Sequence, residues 1–198
     1  MMPVCNRPRS FGSAVFYLHL LKYKSNLSAL KHFILALFLS VSVATAKDIQ
    51  VFFSPHGGCT EAIVKNLESA TNTVLVQAYS FTSAPIAKAL VDAHKRGVNV
   101  TVILDKSQRT ERYSEADFFL HADIPTFIDA KHNIAHNKIM VIDGHTIITG
   151  SFNFTKAAEN ENAENLLVID DPKLATRYAA NWKTHLSHSE KFVGKLEK

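Results

Sequence analysis

The chain has 198 residues, 46% of them hydrophobic and 20% charged, which is the make-up of a folded globular protein and excludes a disordered one. Seven Gly and six Pro without a period, and no sustained heptad, exclude collagen-like and coiled-coil architectures. With 22 Lys+Arg against 18 Asp+Glu the formal charge is +4, but the excess is not evenly spread.

Residues 1–46 carry Arg7, Arg9, Lys22, Lys24 and Lys31 and no acid, which leaves 17 basic against 18 acidic residues in 47–198. Lys31-His32 precedes the apolar run Phe33–Val43, which ends in Ala44-Thr45-Ala46. A positive flank, a short apolar core and a small-x-small site, in that order, read as an export signal. The run is 11 residues, too short for a bilayer-spanning helix of ~20. The expectation is a signal peptide with an N-terminal extension over 1–46, cleaved near Ala46. A single soluble domain over 47–198, periplasmic or secreted, would remain. Cys5 falls in the first segment, so Cys59 is alone in the domain and no intrachain disulfide is expected.

Within the domain, short β-rich runs alternate with helical patterns. Ile49–Phe53 reads as a strand, and Gly57-Gly58 as a turn, since the Lys-Ser/Thr of a phosphate-binding loop is missing. Thr60 is expected to cap a helix with Ile63, Val64 and Leu67 on one face. Thr73–Tyr79 is a near-continuous apolar strand, as expected where both faces are covered. Ser83 and Pro85 start a helix with the stripe Ile86, Leu90 and Val91, stopped by Gly97. Val98–Leu104 is another strand, and Asp171-Pro172 opens a last helix through Leu174, Tyr178 and Trp182. The alternation predicts an α/β domain with a mixed, largely buried β-sheet flanked by helices.

The segment from Ile134 to Asn153 reads as a hairpin, because Asp143-Gly144 between β-branched residues is a strong two-residue turn signal. That turn sets Ile142 opposite His145, Met140 opposite Ile147, Lys138 opposite Thr149 and His136 opposite Ser151. Residues two apart share a strand face, so His136, Lys138, Ser151 and Asn153 would project together. Lysine supplies a point charge for phosphate oxygens, Ser and Asn supply directional donors, and His serves as nucleophile or acid/base. Such an array suits the charge of a phosphodiester transition state.

His136-x-Lys138-x4-Asp143-x6-Gly150-Ser151-x-Asn153 resembles, without a gap, the HxKx4Dx6GSxN signature of the phospholipase D superfamily. Gly150–Ala158, Ala163–Asn165, Val51–Pro55 and Gln77–Thr82 look like its small bacterial nuclease branch, and the likeness runs over nearly all of 47–198. The resemblance implies a phosphodiesterase needing no metal or other cofactor, in which His136 attacks phosphorus and water hydrolyses the phosphohistidine. Lys138, Asn153 and Ser151 would hold the phosphoryl oxygens, and Glu164 would orient the histidine. Asp143 belongs to the signature but sits in the turn, which makes it structural. Nucleic acid, DNA or RNA, is the expected substrate, with phospholipid head groups as the alternative and a non-catalytic nucleic-acid binder as a second.

The family's mechanism uses two histidines, and this chain has one signature. His94-Lys-Arg and His185-x-x-His188 lack the companion residues. The pattern therefore implies a symmetric homodimer with a composite site. His132 and His136 are four apart but precede a strand, so the helical His-x3-His geometry is absent. His121, His132 and His145 are accordingly read as exposed polar residues. Lys106, Arg109 and Arg112 follow a strand, and the site rim, with contact to a nucleic-acid backbone, is one reading of them. A solvated loop of mixed charge is the other.

Overall fold

The computed structural model of the chain describes residues 48–194. The export signal and Cys5 lie outside the described residues. The first strand and helix are β1 (Asp48–Ser54) and α1 (Cys59–Ser69). They are followed by β2 (Thr73–Ala78), α2 (Ala84–Lys95), β3 (Asn99–Asp105) and a short 3-10 turn over Lys106–Arg109. Then come α3 (Ala116–His121), β4 (Thr126–Asp129), β5 (Lys138–Ile142) and β6 (Thr146–Gly150). The chain closes with α4 (Lys156–Asn160), β7 (Glu164–Asp170), α5 (Pro172–Leu186) and β8 (Glu190–Lys191). One sheet holds all eight strands in the order β1-β7-β6-β5-β2-β3-β4-β8.

Alternation along the strands builds two cores. Val74 and Val76 of β2, Val100 and Val102 of β3, Met140 and Ile148 face α1 and α2, where Ile63, Leu67, Ile86 and Leu90 close the layer. The opposite side chains, Leu75, Ile103, Ile139, Val141 and Ile147, pack on α5 through Ala175, Tyr178 and Trp182. The Trp182 indole N–H donates to the Val76 carbonyl at 2.8 Å, so the buried ring's polar edge is satisfied. α5 starts where Asp171 accepts from the Lys173 and Leu174 amides, as its N-cap chemistry requires. The burial fails at one edge: on β1, Ile49, Val51 and Phe53 are 57%, 51% and 64% exposed.

Three sequence expectations are corrected. Thr60 lies inside the first turn of α1 and does not cap it; the Glu159 carboxylate, from α4, accepts from the Gly58 and Thr60 amides instead. A cap from a hundred residues away has no local sequence signal. β4, β7, β8, α3 and α4 were not foreseen, because each is short or, in β7, reads locally as polar before it turns apolar.

The third correction concerns the hairpin. Asp143 and Gly144 form the turn as expected, both at positive φ (51° and 71°), with the His145 amide on the Ile142 carbonyl. The ladder, however, pairs Ile142 with Thr146 and Met140 with Ile148, one residue off the expected register. His145 is the extra residue. Both faces of this hairpin are covered, so Ile148 must join Met140 under α1 and α2, and Ile147 must join Val141 under α5; that demand sets the register.

Candidate active site

Strands β2 and β3, and β3 and β4, run parallel, while β5, β6 and β7 are antiparallel to their neighbours. The carboxyl ends of β2, β3 and β4 therefore lie at the same sheet edge as the starts of β5 and β7 and the end of β6. That edge is where open α/β sheets place ligands. His136 precedes β5, Lys138 opens it, Ser151 and Asn153 follow β6, and Glu164 opens β7. They are gathered by converging chain ends. A shared strand face does not gather them, since β6 stops at Gly150.

Gly150 is required there. Its φ is 149°, and a Cβ would stand 2.2 Å from the Asn165 carbonyl oxygen. Beyond it, Phe152 and Phe154 are fully buried and pin the loop on either side of Asn153. Phe154 stacks edge-on against Phe81, whose ring in turn meets Phe119, and the Phe154 carbonyl accepts from the Thr82 and Ser83 amides. Burying each phenyl contributes about 1.5–3 kcal/mol, enough to hold a loop that no ladder holds. Asn153 Oδ1 is buried without a hydrogen-bond partner.

The Ser151 hydroxyl accepts from the Asn165 amide at 3.0 Å and from its side chain at 3.4 Å, which leaves its own proton for a ligand. The Lys138 ammonium donates to the His136 carbonyl at 2.8 Å and lies 5.1 Å from the Tyr79 ring centroid. The Tyr79 ring also packs on the His136 imidazole, with centroids 4.6 Å apart. Lys138 is only 6% exposed, and burial pulls its pKa below the usual lysine range, with Glu164 opposing. Glu164 accepts from Asn162 and makes no hydrogen bond to the His136 ring among the described residues; its charge acts on Lys138. Tyr79 is the site residue that sequence reasoning missed. Its place at the end of the apolar run Thr73–Tyr79 was the available signal; in the fold its amide donates to the Asn137 carbonyl.

The segment before His136 is anchored by Asp105, which accepts from the Ser107 and Ala135 amides. Of the three rim residues, Lys106 and Arg112 are exposed, while Arg109 pairs with Glu190. Cys59 is a buried free thiol; burial, then the Glu159 charge, pushes its pKa up to about 11.

Asp143 sits at the far end of the sheet. Its oxygens accept from the Thr71, Asn72 and Thr73 amides and the Thr71 hydroxyl, all within 3.0 Å. Burial works to raise its pKa, but those donors hold the carboxyl below the usual range. The contribution to stability is present above the unfolded carboxylate's pKa and is lost as pH falls through the folded value. Asp143→Ala is expected to lower the melting temperature by about 5–10 °C, from about 2–3 kcal/mol of lost charge-assisted bonds. Thermal melts at pH 7 and pH 3 check this: the gap between variant and wild type should narrow at the lower pH.

A mixed α/β sheet that collects an imidazole, a buried ammonium, a hydroxyl and a carboxamide at its ligand-binding edge defines an enzyme built to handle phosphoryl oxygens. Residues 63–186 match the family described as cardiolipin synthase, PLD-like domain. Phospholipase D of Rickettsia prowazekii (strain Madrid E) is 40% identical over 145 residues, 73% of this chain and 71% of that protein. The solved structure of Nuc from Salmonella typhimurium, a phospholipase D family member, has a TM-score of 0.71 at 38% identity, covering 74% of this chain and 99% of that one. NucT from Helicobacter pylori shares the fold, with a TM-score of 0.70 at 23% identity over 74% of this chain and 100% of that one. The chain belongs to the phospholipase D superfamily and is a hydrolase of phosphodiester bonds.

Proposed function

We propose that the protein is an exported endonuclease of low sequence specificity that cleaves DNA, and RNA as a secondary substrate, through a phosphohistidine on His136. A ring nitrogen of His136 bonds to phosphorus as the P–O bond to the leaving group breaks. A second imidazole gives its proton to that leaving oxygen, and water then cleaves the P–N bond. Lys138, Ser151 and Asn153 hold the non-bridging oxygens, and no metal is called for in either step. The observation that carries this reading is the Lys138 ammonium, buried beside His136 with no carboxylate bonded to it among the described residues. Such a charge is costly unless an anion completes it.

Nucleic acid is favoured by the loop after β3. Lys106 and Arg112 stand exposed, and the Arg112 guanidinium lies 5.6 Å from the Tyr113 ring centroid, with Tyr113 itself 70% exposed. A cation on an exposed aromatic plate suits a phosphate and an unstacked base. The described residues hold no helix long and apolar enough to cross a membrane. Hydrolysis of phospholipid head groups is the second reading, favoured by the name of the Rickettsia relative. Plasmid DNA and phosphatidylcholine vesicles, each incubated with the protein in EDTA, separate them. Nicked plasmid with intact lipid is expected; released choline with intact plasmid would reverse the assignment, and neither product would sink the mechanism.

The second histidine comes from a second copy of this chain, in a symmetric dimer with one composite site. The single signature per chain supports this, and the exposed stripe Ile49, Val51 and Phe53 offers apolar surface for a partner. A monomeric, fully active protein in sedimentation would overturn it. Export through residues 1–46 is checked by N-terminal sequencing of protein recovered outside the cytoplasm, expected to begin near Lys47.

A further inference from the structure

A second cluster of chemistry lies outside the proposed catalytic residues. Asp129 ends β4 and is fully buried; its Oδ1 accepts from the Lys131 amide at 3.1 Å. Three imidazoles crowd around the other oxygen. His185 Nδ1, in the last turn of α5, is 2.7 Å from Oδ2, His188 Nε2 is 3.3 Å away, and His132 Nε2 is 3.9 Å away. The three rings stand 5.0–5.3 Å apart, centroid to centroid. All four potential ligand atoms lie within 4.8 Å of one another.

Hydrogen bonding accounts for two of the three rings and leaves His132 over. Oδ2 has two lone pairs, which the His185 and His188 rings occupy, so His132, at 3.9 Å, is held there by no hydrogen bond to it. A metal ion would engage all three rings at once, because it takes a nitrogen lone pair from each. Ligands at ~2.1 Å from a tetrahedral ion stand roughly 3.4 Å apart. From Oδ2, His188 is already near that spacing at 3.3 Å, His185 at 2.7 Å would move outward, and His132 at 3.9 Å would move inward on its exposed loop. Three nitrogens and one monodentate carboxylate oxygen are a donor set for zinc, and are ill matched to calcium or magnesium.

We propose that Asp129, His132, His185 and His188 form a structural Zn2+ site. It would tie the end of β4 to the carboxyl end of α5, where Asp129 and His185 are 56 residues apart in the chain. It would also fix the loop that runs from His132 to His136, already tethered at Ala135 by Asp105. The ion's role is to close and stiffen the fold beside the site, separate from the phosphoryl chemistry.

The test is made on the purified full-length protein, stripped with chelator and titrated with ZnCl2. One zinc per chain, retained through gel filtration, is expected. At a hundredfold excess of free zinc over its Kd, the melting temperature should rise by roughly 5–10 °C. His188→Ala and His132→Ala should each lose the retained zinc and the thermal shift. His132 is 43% exposed and on a loop, so its replacement leaves the core intact even if His188→Ala fails to fold. His121→Ala should keep both. Failure to retain zinc, or retention unchanged in His132→Ala, would overturn the site and leave the cluster a hydrogen-bonded network. Because the readouts are metal content and melting temperature, failure here is distinguishable from failure of the phosphodiesterase reading, which is scored in EDTA.

Discussion

His136→Ala is expected to abolish phosphodiester hydrolysis, by about 10⁴-fold or more, while leaving the fold intact. Removing a nucleophile whose covalent intermediate carries the reaction leaves only binding and charge stabilisation, so single losses of this kind are very large. The side chain is exposed, and its contact with Tyr79 is one ring packing on another. Its removal should therefore cost little stability, about 0.5 kcal/mol, or a shift in melting temperature of about 1–2 °C. The measurement pairs steady-state hydrolysis in EDTA with a thermal melt of the same sample. Wild-type protein denatured during turnover at alkaline pH should hold a covalent phosphoryl group that is released by acid and that the variant lacks. Wild-type turnover in the variant would remove His136 from the mechanism altogether. Loss of activity accompanied by a large drop in melting temperature would instead assign it to the fold.

How much of this could be read from the chain depends on how local each cause was. The turn at Asp143-Gly144 and the helix starts at Pro85 and Pro172 are written in a few adjacent residues, and they stand where expected. The hairpin register is different. It is decided by which apolar side chains meet α1 and α2 and which meet α5, helices far away in sequence, and a one-residue error followed. The site residues were still named, because spacing along the chain fixed their identity even where the reason for their proximity was misread. What gathers them is the meeting of strand ends at one sheet edge. Gly150 makes that point: in sequence it is a conformational pause, but in the fold a carbonyl occupies the space where its Cβ would be.

The histidines near the carboxyl end show the opposite failure. His132 is weighed in the sequence with His136, its neighbour along the chain, and His185-x-x-His188 only for companions of the signature. Asp129, which joins them, is more than fifty residues from His185 and His188. Clusters assembled by tertiary contact have no spacing rule to detect.

Lys138 tests the idea that the site is maintained against the interest of the fold. Burial lowers its pKa, which means that folding disfavours the charged form relative to the unfolded chain. The sign follows from linkage: the charged lysine costs stability at all pH values below its folded pKa, and the cost is relieved as pH rises through that value toward the unfolded one. Glu164 offsets part of this through its charge, and the His136 carbonyl and Tyr79 ring give the ammonium its nearest contacts. Lys138→Met keeps the aliphatic volume and removes the charge. Hydrolysis is expected to fall by about 10²–10³-fold, the usual loss when one preorganised stabiliser of transition-state charge is deleted. The melting temperature should be unchanged or higher, since no buried cation remains to be solvated. In the wild type, activity should decline on the alkaline side below the pH at which an ordinary lysine deprotonates, and the decline should be absent from the residual activity of Lys138→Met. A variant that loses both stability and activity would show that Lys138 holds the loop, and that the unpaired charge is structural. A variant that gains stability as it loses function would identify the ammonium as a cost the fold bears for phosphate.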